Sequence, residues 1–222
     1  DTEVHRILVA LDPMMDVFEE AKARSCELVV THHPLIFQSL KQVNDESFDG
    51  RNLLYLIENG IASLNLHTNL DCCPGGVNDV LASQLGLSGV EILNPVGTDE
   101  KGRPYGLVRM GEVAEQTLAA FAAFVKRVLS CPGVRFSDAG KPVRKVAVGG
   151  GSCGSEIGDV IAAGCDTFVT ADLKYNHFEE AKYRGLNLID AGHFETENPV
   201  CDVLEGILRE AFPEIPVFRA RA

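Results

Sequence analysis

KVAVGGGSCGSEIGDVIAAGCDTFVTAD, residues 145–172, decides the fold. Residues 145–150 form a short apolar, valine-rich run that reads as a strand. A glycine-rich turn follows, then a helical pattern over residues 156–163 and a second β-rich run over residues 167–172. Strand, helix and strand at this spacing make the unit of a parallel sheet. The rhythm continues downstream. Residues 177–183 predict a helix, 186–193 a strand, 199–212 a helix with proline in its first turn, and 215–220 a last strand.

Upstream the same alternation appears. Residues 6–11 read as a strand ending at Asp12 and Pro13. Val17, Ala21 and Arg24 are spaced for one helical face. Residues 27–34 are the next strand, and 53–59 a helix with Gly60 just past its end. Residues 61–71 read as a strand running into a loop, and 77–85 as a helix closed by Gly86. The middle is less regular. Residues 94–106 are rich in glycine, proline and charge, followed by a strand at 106–113 and an apolar helix at 116–129. The expected fold class is α/β: two lobes with mainly parallel sheets. The first lobe spans residues 1–95 and the second 96–222, with the final helix and strand free to return to the first.

Bulk properties bound the function. The chain has 222 residues, 45% apolar and 23% charged, ordinary values for a globular protein. Its net charge is −12, and no run of lysine or arginine exceeds Arg219 and Arg221 around one alanine. Such a surface repels phosphate backbones, so nucleic acid is not an expected partner. No apolar stretch is long enough for a membrane helix, and residues 1–3 open with acid rather than a basic leader region. The seven cysteines are odd in number and show no CxxC spacing. They read as small buried fillers in a reducing cytoplasm rather than a disulfide framework.

Polar residues recur where predicted strands end, the edge at which open α/β sheets bind ligands. His32 and His33 end one strand, His67 and Asp71 another. Asp172 ends a third, and His193 and Glu197 follow a fourth. Imidazole and carboxylate together are the usual ligands of zinc, iron and manganese. His193 and Glu197 stand four apart, so both reach one point if the segment coils. Singly, each residue has a plainer use: a hydrogen-bonded core histidine, a turn former at Asp71, a helix cap at Glu197. Taken together at strand ends, metal binding is the better reading. Gly149, Gly151 and Gly154 also fit GxGxxG between a strand and a helix, the fingerprint of a dinucleotide-binding protein. That alternative leaves the histidines unexplained.

Five segments resemble one family: THHPLIF (31–37), NLHTNLD (65–71) with PGGVND (74–79), GGGSCGSE (149–156), TADLKYNHFEEA (170–181) and IDAGHFETE (189–197). In this order they are similar to the Nif-three-like family, whose members are often described as GTP cyclohydrolase I type 2 homologues. The resemblance implies two divalent metal ions between two α/β lobes, in a toroidal homohexamer. It implies His32, His33, Asp71, His193 and Glu197 as ligands, with Asp71 and Glu197 bridging. His67 stands close in its motif, and Asp172 and His177 are implied to face the same cavity. The chain departs from the family in three ways. It starts after a helix and strand that relatives carry, so the first sheet is expected to lack that segment. Cys72 and Cys73 stand where small residues are usual. Asn176 looks inserted before His177.

The expected function is a metal-dependent hydrolase acting on a small-molecule substrate, a nucleotide by resemblance. Two ions, zinc, iron or manganese, activate a bound water, and His67 or His177 carries the proton. The alternative is a non-catalytic metal-binding hexamer that serves as a scaffold or regulator.

Overall fold

The structure, a computed structural model, describes residues 3–221. Asp1 and Thr2, part of the acidic opening, and Ala222 lie outside the described residues. The chain begins β1 (Ile7–Ala10), α1 (Met15–Ala23), β2 (Leu28–Thr31), α2 (Phe48–Glu58), β3 (Ala62–Asn65), α3 (Thr68–Cys72) and α4 (Val77–Gln84). It continues with β4 (Ser88–Ile92), β5 (Gly97–Thr98), β6 (Pro104–Tyr105), β7 (Arg109–Gln116), α5 (Leu118–Val128), β8 (Arg135–Ser137) and β9 (Val143–Val148). A short 3₁₀ turn at Gly154–Glu156 leads into α6 (Ile157–Ala162), β10 (Thr167–Thr170), α7 (Tyr175–Tyr183) and β11 (Asn187–Asp190). The last elements are α8 (His193–Glu197), α9 (Val200–Ala211) and β12 (Val217–Arg219).

Two compact units result. One holds the chain up to Leu70 together with everything from Val200 onward; the other holds Asp71–Pro199. The sequence reading placed the division near residue 95, whereas residues 71–95 join the second unit. The reason is local: α4 packs on β7 and β9, and β4 pairs with β7.

The first unit carries a four-stranded sheet, β12-β1-β2-β3, all parallel. Leu8, Ala10 and Val29 point to the face covered by Val17, Phe18 and Ala21 of α1 and Leu56 of α2. α2 starts at Phe48, earlier than the apolar spacing predicts. Ser47 caps it by accepting a hydrogen bond from Gly50 N at 3.1 Å, and its polar first turn has no periodicity to read.

The second unit carries a six-stranded sheet in the order β4-β7-β9-β10-β11-β8. β9, β10 and β11 are parallel, whereas β4, β7 and β8 pair antiparallel. The expectation of mainly parallel sheets therefore holds for the first unit, and the second sheet is mixed. β4 reaches β7 through the small β5–β6 hairpin without a helical crossover, and β8 is a three-residue edge strand beside β11. Strand alternation covers both faces of the parallel centre. Val146, Val148, Val169 and Ile189 pack with Leu81, Phe121 and Val125. Ala147, Phe168 and Leu188 pack with Ile157, Val160 and Leu186 on the other side. Among the described residues no helix is long and apolar enough to cross a membrane.

Candidate metal centre

In the first unit, β2 and β3 run in parallel register, with Thr31 opposite Asn65. The residues that follow both strands therefore leave the sheet at one edge. Thr31 Oγ1 donates to the His33 carbonyl at 2.7 Å and accepts from Asn65 Nδ2 at 2.7 Å, while Asn65 Oδ1 accepts from Leu35 N at 3.3 Å. These bonds fold THHPL into a tight turn and bring three imidazoles together. Ring centroids lie 5.0 Å apart for His32 and His33, 5.4 Å for His32 and His67, and 5.8 Å for His33 and His67. One ring nitrogen from each lies within 4.8 Å of the others. Phe37, 75% exposed, stands edge-on to His67 at 5.9 Å.

Neighbours set the tautomer of each ring. His32 Nδ1 is 2.8 Å from the Leu66 carbonyl, which only accepts, so Nδ1 carries the proton. His33 Nδ1 is 2.7 Å from Asp12 Oδ1. In each neutral imidazole Nε2 then holds the lone pair, the arrangement of metal-binding histidines. Asp12 was not singled out from the sequence as a site residue. Its position just past β1 obeys the same strand-end rule that marked the others.

In the second unit, β9, β10 and β11 end together, with Val148 opposite Val169 and Thr170 opposite Asp190. The segments beyond them carry the polar groups. HFETE coils as α8, and His193 Nε2 comes within 3.0 Å of Glu197 Oε2. On the other side of the ring, Nδ1 lies 2.7 Å from Asp172 Oδ2. The two carboxylates pull the His193 pKa up to about 9, Glu197 most strongly, against the opposing effect of burial. Asp172 sits in the left-handed region at φ 53°. Asp190 steadies it, since one carboxylate accepts from Leu173 N at 3.1 Å and Gly192 N at 3.2 Å and pairs with Arg135. The backbone beside Asp172 and the backbone beside His193 thus hang from one side chain.

Asp71 lies in α3 rather than in a loop, 7% exposed, and Glu197 is 4% exposed. A carboxylate oxygen of each lies within 4.8 Å of the other. Gly151, at φ 63°, makes room beside Glu197. A Cβ there would stand 2.1 Å from Glu197 Oε1 and 3.0 Å from His193 Nε2.

His177 begins no strand end. It lies in the first turn of α7, where its Nδ1 accepts from Lys174 N at 3.2 Å, and its ring rests against Gly154. Cys72 and Cys73 are half-buried thiols beside Asp71. In the glycine-rich loop the N–H groups of Gly150, Gly151 and Cys153 donate to Asn78, Thr196 and Thr170 side chains. A dinucleotide fingerprint needs such amides for the pyrophosphate; here they are committed to the protein.

The whole described chain has known counterparts. Residues 1–221 match the family model Duf34/NIF3 (NGG1p interacting factor 3). A Streptomyces coelicolor protein named GTP cyclohydrolase 1 type 2 homolog is 40% identical over 208 residues, 91% of this chain and 73% of that protein. A Nostoc protein of the same name is 37% identical, over 93% of this chain and 78% of its own. Among solved structures, a Staphylococcus aureus hypothetical protein superposes with a TM-score of 0.93 at 30% identity, covering 100% of this chain and 86% of that one.

Proposed function

Because the chain belongs to the Duf34/NIF3 family, we propose that its clustered histidines and carboxylates hold a pair of divalent cations and that it is a metal-dependent hydrolase. His32, His33, Asp71, His193 and Glu197 are the residues that would hold them, the two carboxylates supplying the negative charge. The observation that carries this reading is the common build of three histidines. His32, His33 and His193 each give Nδ1 to a protein acceptor, at 2.7–2.8 Å. A second support is electrostatic. Asp71 and Glu197, both buried and within 4.8 Å, repel by about 3 kcal/mol or more when both are ionised at an effective dielectric of about 20. A proton on His193 relieves part of that repulsion; a divalent ion beside both carboxylates relieves more of it.

Bound ions of this kind lower the pKa of a coordinated water and stabilise charge that develops on a substrate oxygen. The chain's own residues do the rest. Asp12 and Asp172 hold His33 and His193 in one tautomer. His67, half-buried beside His32 and His33, is the proposed proton carrier, and His177 is a second, through the ring nitrogen that the helix cap leaves. Nucleotides, GTP first, are the substrate class to test, because the curated relatives bear the name GTP cyclohydrolase 1 type 2 homolog. The toroidal homohexamer implied by the resemblance belongs to the same reading, and light scattering tests it.

The deciding experiment is elemental analysis of protein purified without chelator or affinity tag, followed by a hydrolysis screen across nucleotides, phosphoesters and cyclic amides. About two zinc, iron or manganese ions per chain with turnover is the expected result. Protein with no bound metal overturns the metal centre; metal without turnover across the screen favours the non-catalytic scaffold.

A further inference from the structure

The segment PGGVND contributes none of the proposed ligands, yet two of its side chains sit at the centre of a buried network. Asn78, fully buried, donates from Nδ2 to the Asp71 carbonyl at 3.1 Å and accepts at Oδ1 from Gly150 N at 2.7 Å. The next residue of that loop, Gly151, donates to Thr196 Oγ1 at 3.0 Å, inside the helix that bears His193 and Glu197. One amide therefore ties the backbone of Asp71 to the loop that bears on Glu197.

Arg109 secures the other side of Asp71. It is 1% exposed, pairs with Asp79, and its Nη2 donates to the carbonyls of Cys72 at 3.2 Å and Cys73 at 3.3 Å. Gly106 N adds a bond to Cys72 O at 3.2 Å, and Asp79 Oδ2 accepts from Gly75 N at 2.6 Å. Three consecutive carbonyls, from residues 71 to 73, are held by side chains rather than by a helix ladder. A buried guanidinium is costly unless every donor is used. Here Nε pairs with Asp79, Nη1 donates to the Gly106 carbonyl and Nη2 holds the turn at residues 72–73.

We infer that Asn78 and Arg109 are positioning residues, which set the separation of the Asp71 and Glu197 carboxylates and so tune cation affinity. Ligand groups of a cation site must be held to within about 0.5 Å, and α3, only five residues long, cannot supply that rigidity alone. This inference rests on the metal-centre reading of the preceding subsection.

The test compares wild type with Asn78→Ala, Arg109→Lys and a control, Asn187→Ala. Asn187 is equally buried in the same unit, bonding Lys141 O, Thr167 Oγ1 and Ala139 N at the start of β11. Each protein is stripped, titrated with Co²⁺ and with Zn²⁺ against a chelator, and its cobalt absorption spectrum and metal-free melting temperature are recorded. Asn78→Ala and Arg109→Lys should bind about 10–100-fold more weakly, with an altered cobalt spectrum. Asn187→Ala should lose melting temperature and keep wild-type affinity and spectrum. If Asn78→Ala does not fold, Arg109→Lys carries the comparison, since it keeps the charge beside Asp79 but loses the fork. Wild-type affinity and spectrum in the folded variants, or equal losses in the control, overturn the positioning role. Failure of wild type to bind either ion overturns the metal centre itself.

Discussion

Asp12 Oδ1 accepts a hydrogen bond from His33 Nδ1 at 2.7 Å, and the pair joins the end of β1 to the turn that ends β2. A carboxylate in this place fixes the ring's orientation and makes Nε2 more basic. Asp12→Ala should therefore weaken divalent-ion binding about 10–100-fold, the usual effect of removing such a partner, while leaving a folded protein. Asp12→Asn should fall between, because an amide oxygen still accepts from Nδ1 without the charge. Competition against a chelator measures both, and wild-type affinity in Asp12→Ala would sink the idea.

Direct ligands should behave more severely. His33→Ala and Glu197→Gln are each expected to copurify with metal well below the wild-type content. Glu197→Gln is the sharper of the two, because it keeps the side chain's shape while removing the charge and one acceptor oxygen. Elemental analysis reads the result. Equal metal content in wild type and both variants would overturn the ligand assignment.

How much of this was legible follows from where the information lies. Strand-end positions of His32, His33, Asp172 and His193 came directly from the alternation of apolar runs, because parallel strands in register end together. The antiparallel strands β4 and β8 were not legible. β4 is mostly exposed and β8 is three residues, so neither buries a periodic face. Asn78, Arg109 and Asp190 were missed for another reason. Each makes at least one bond to a backbone atom 7 to 72 residues away, and no local pattern records such bonds. The division at Leu70 and Asp71 was hidden likewise, since α4 looks like a continuation of the first lobe until its partners are known.

Thiol chemistry gives a further expectation. Burial pushes the Cys153 thiol up to about 12 and the Cys131 and Cys26 thiols up to about 11. Cys153 Sγ donates to the Gly150 carbonyl at 3.3 Å and Cys131 Sγ to the Ala191 carbonyl at 3.1 Å, bonds that require the protonated form. Since the folded values exceed the ordinary thiol value of about 9, the stabilisation is complete below that pH. It is lost as pH rises toward 11–12. Native protein at pH 8 should resist alkylation at Cys26, Cys131, Cys153, Cys165 and Cys201, all buried, and release all seven thiols only on unfolding. Mass mapping after iodoacetamide decides it. Rapid modification of Cys153 in folded protein would contradict the placement.

Gly151 supplies the last test, because one added methyl group separates room from charge. Its φ of 63° costs an alanine about 1–2 kcal/mol, which for a chain of this size corresponds to roughly 2–8 °C in melting temperature. The new Cβ would also fall 2.1 Å from Glu197 Oε1, so the carboxylate must move. Gly164 has a similar φ of 74°, but nothing stands within 4 Å of its Cβ position. Gly164→Ala should therefore lose comparable melting temperature and keep full metal binding, whereas Gly151→Ala should lose both. Calorimetry of the stripped proteins and metal titration separate the two effects. Equal metal affinity in the two variants would mean that the space beside Glu197 has no part in holding a cation.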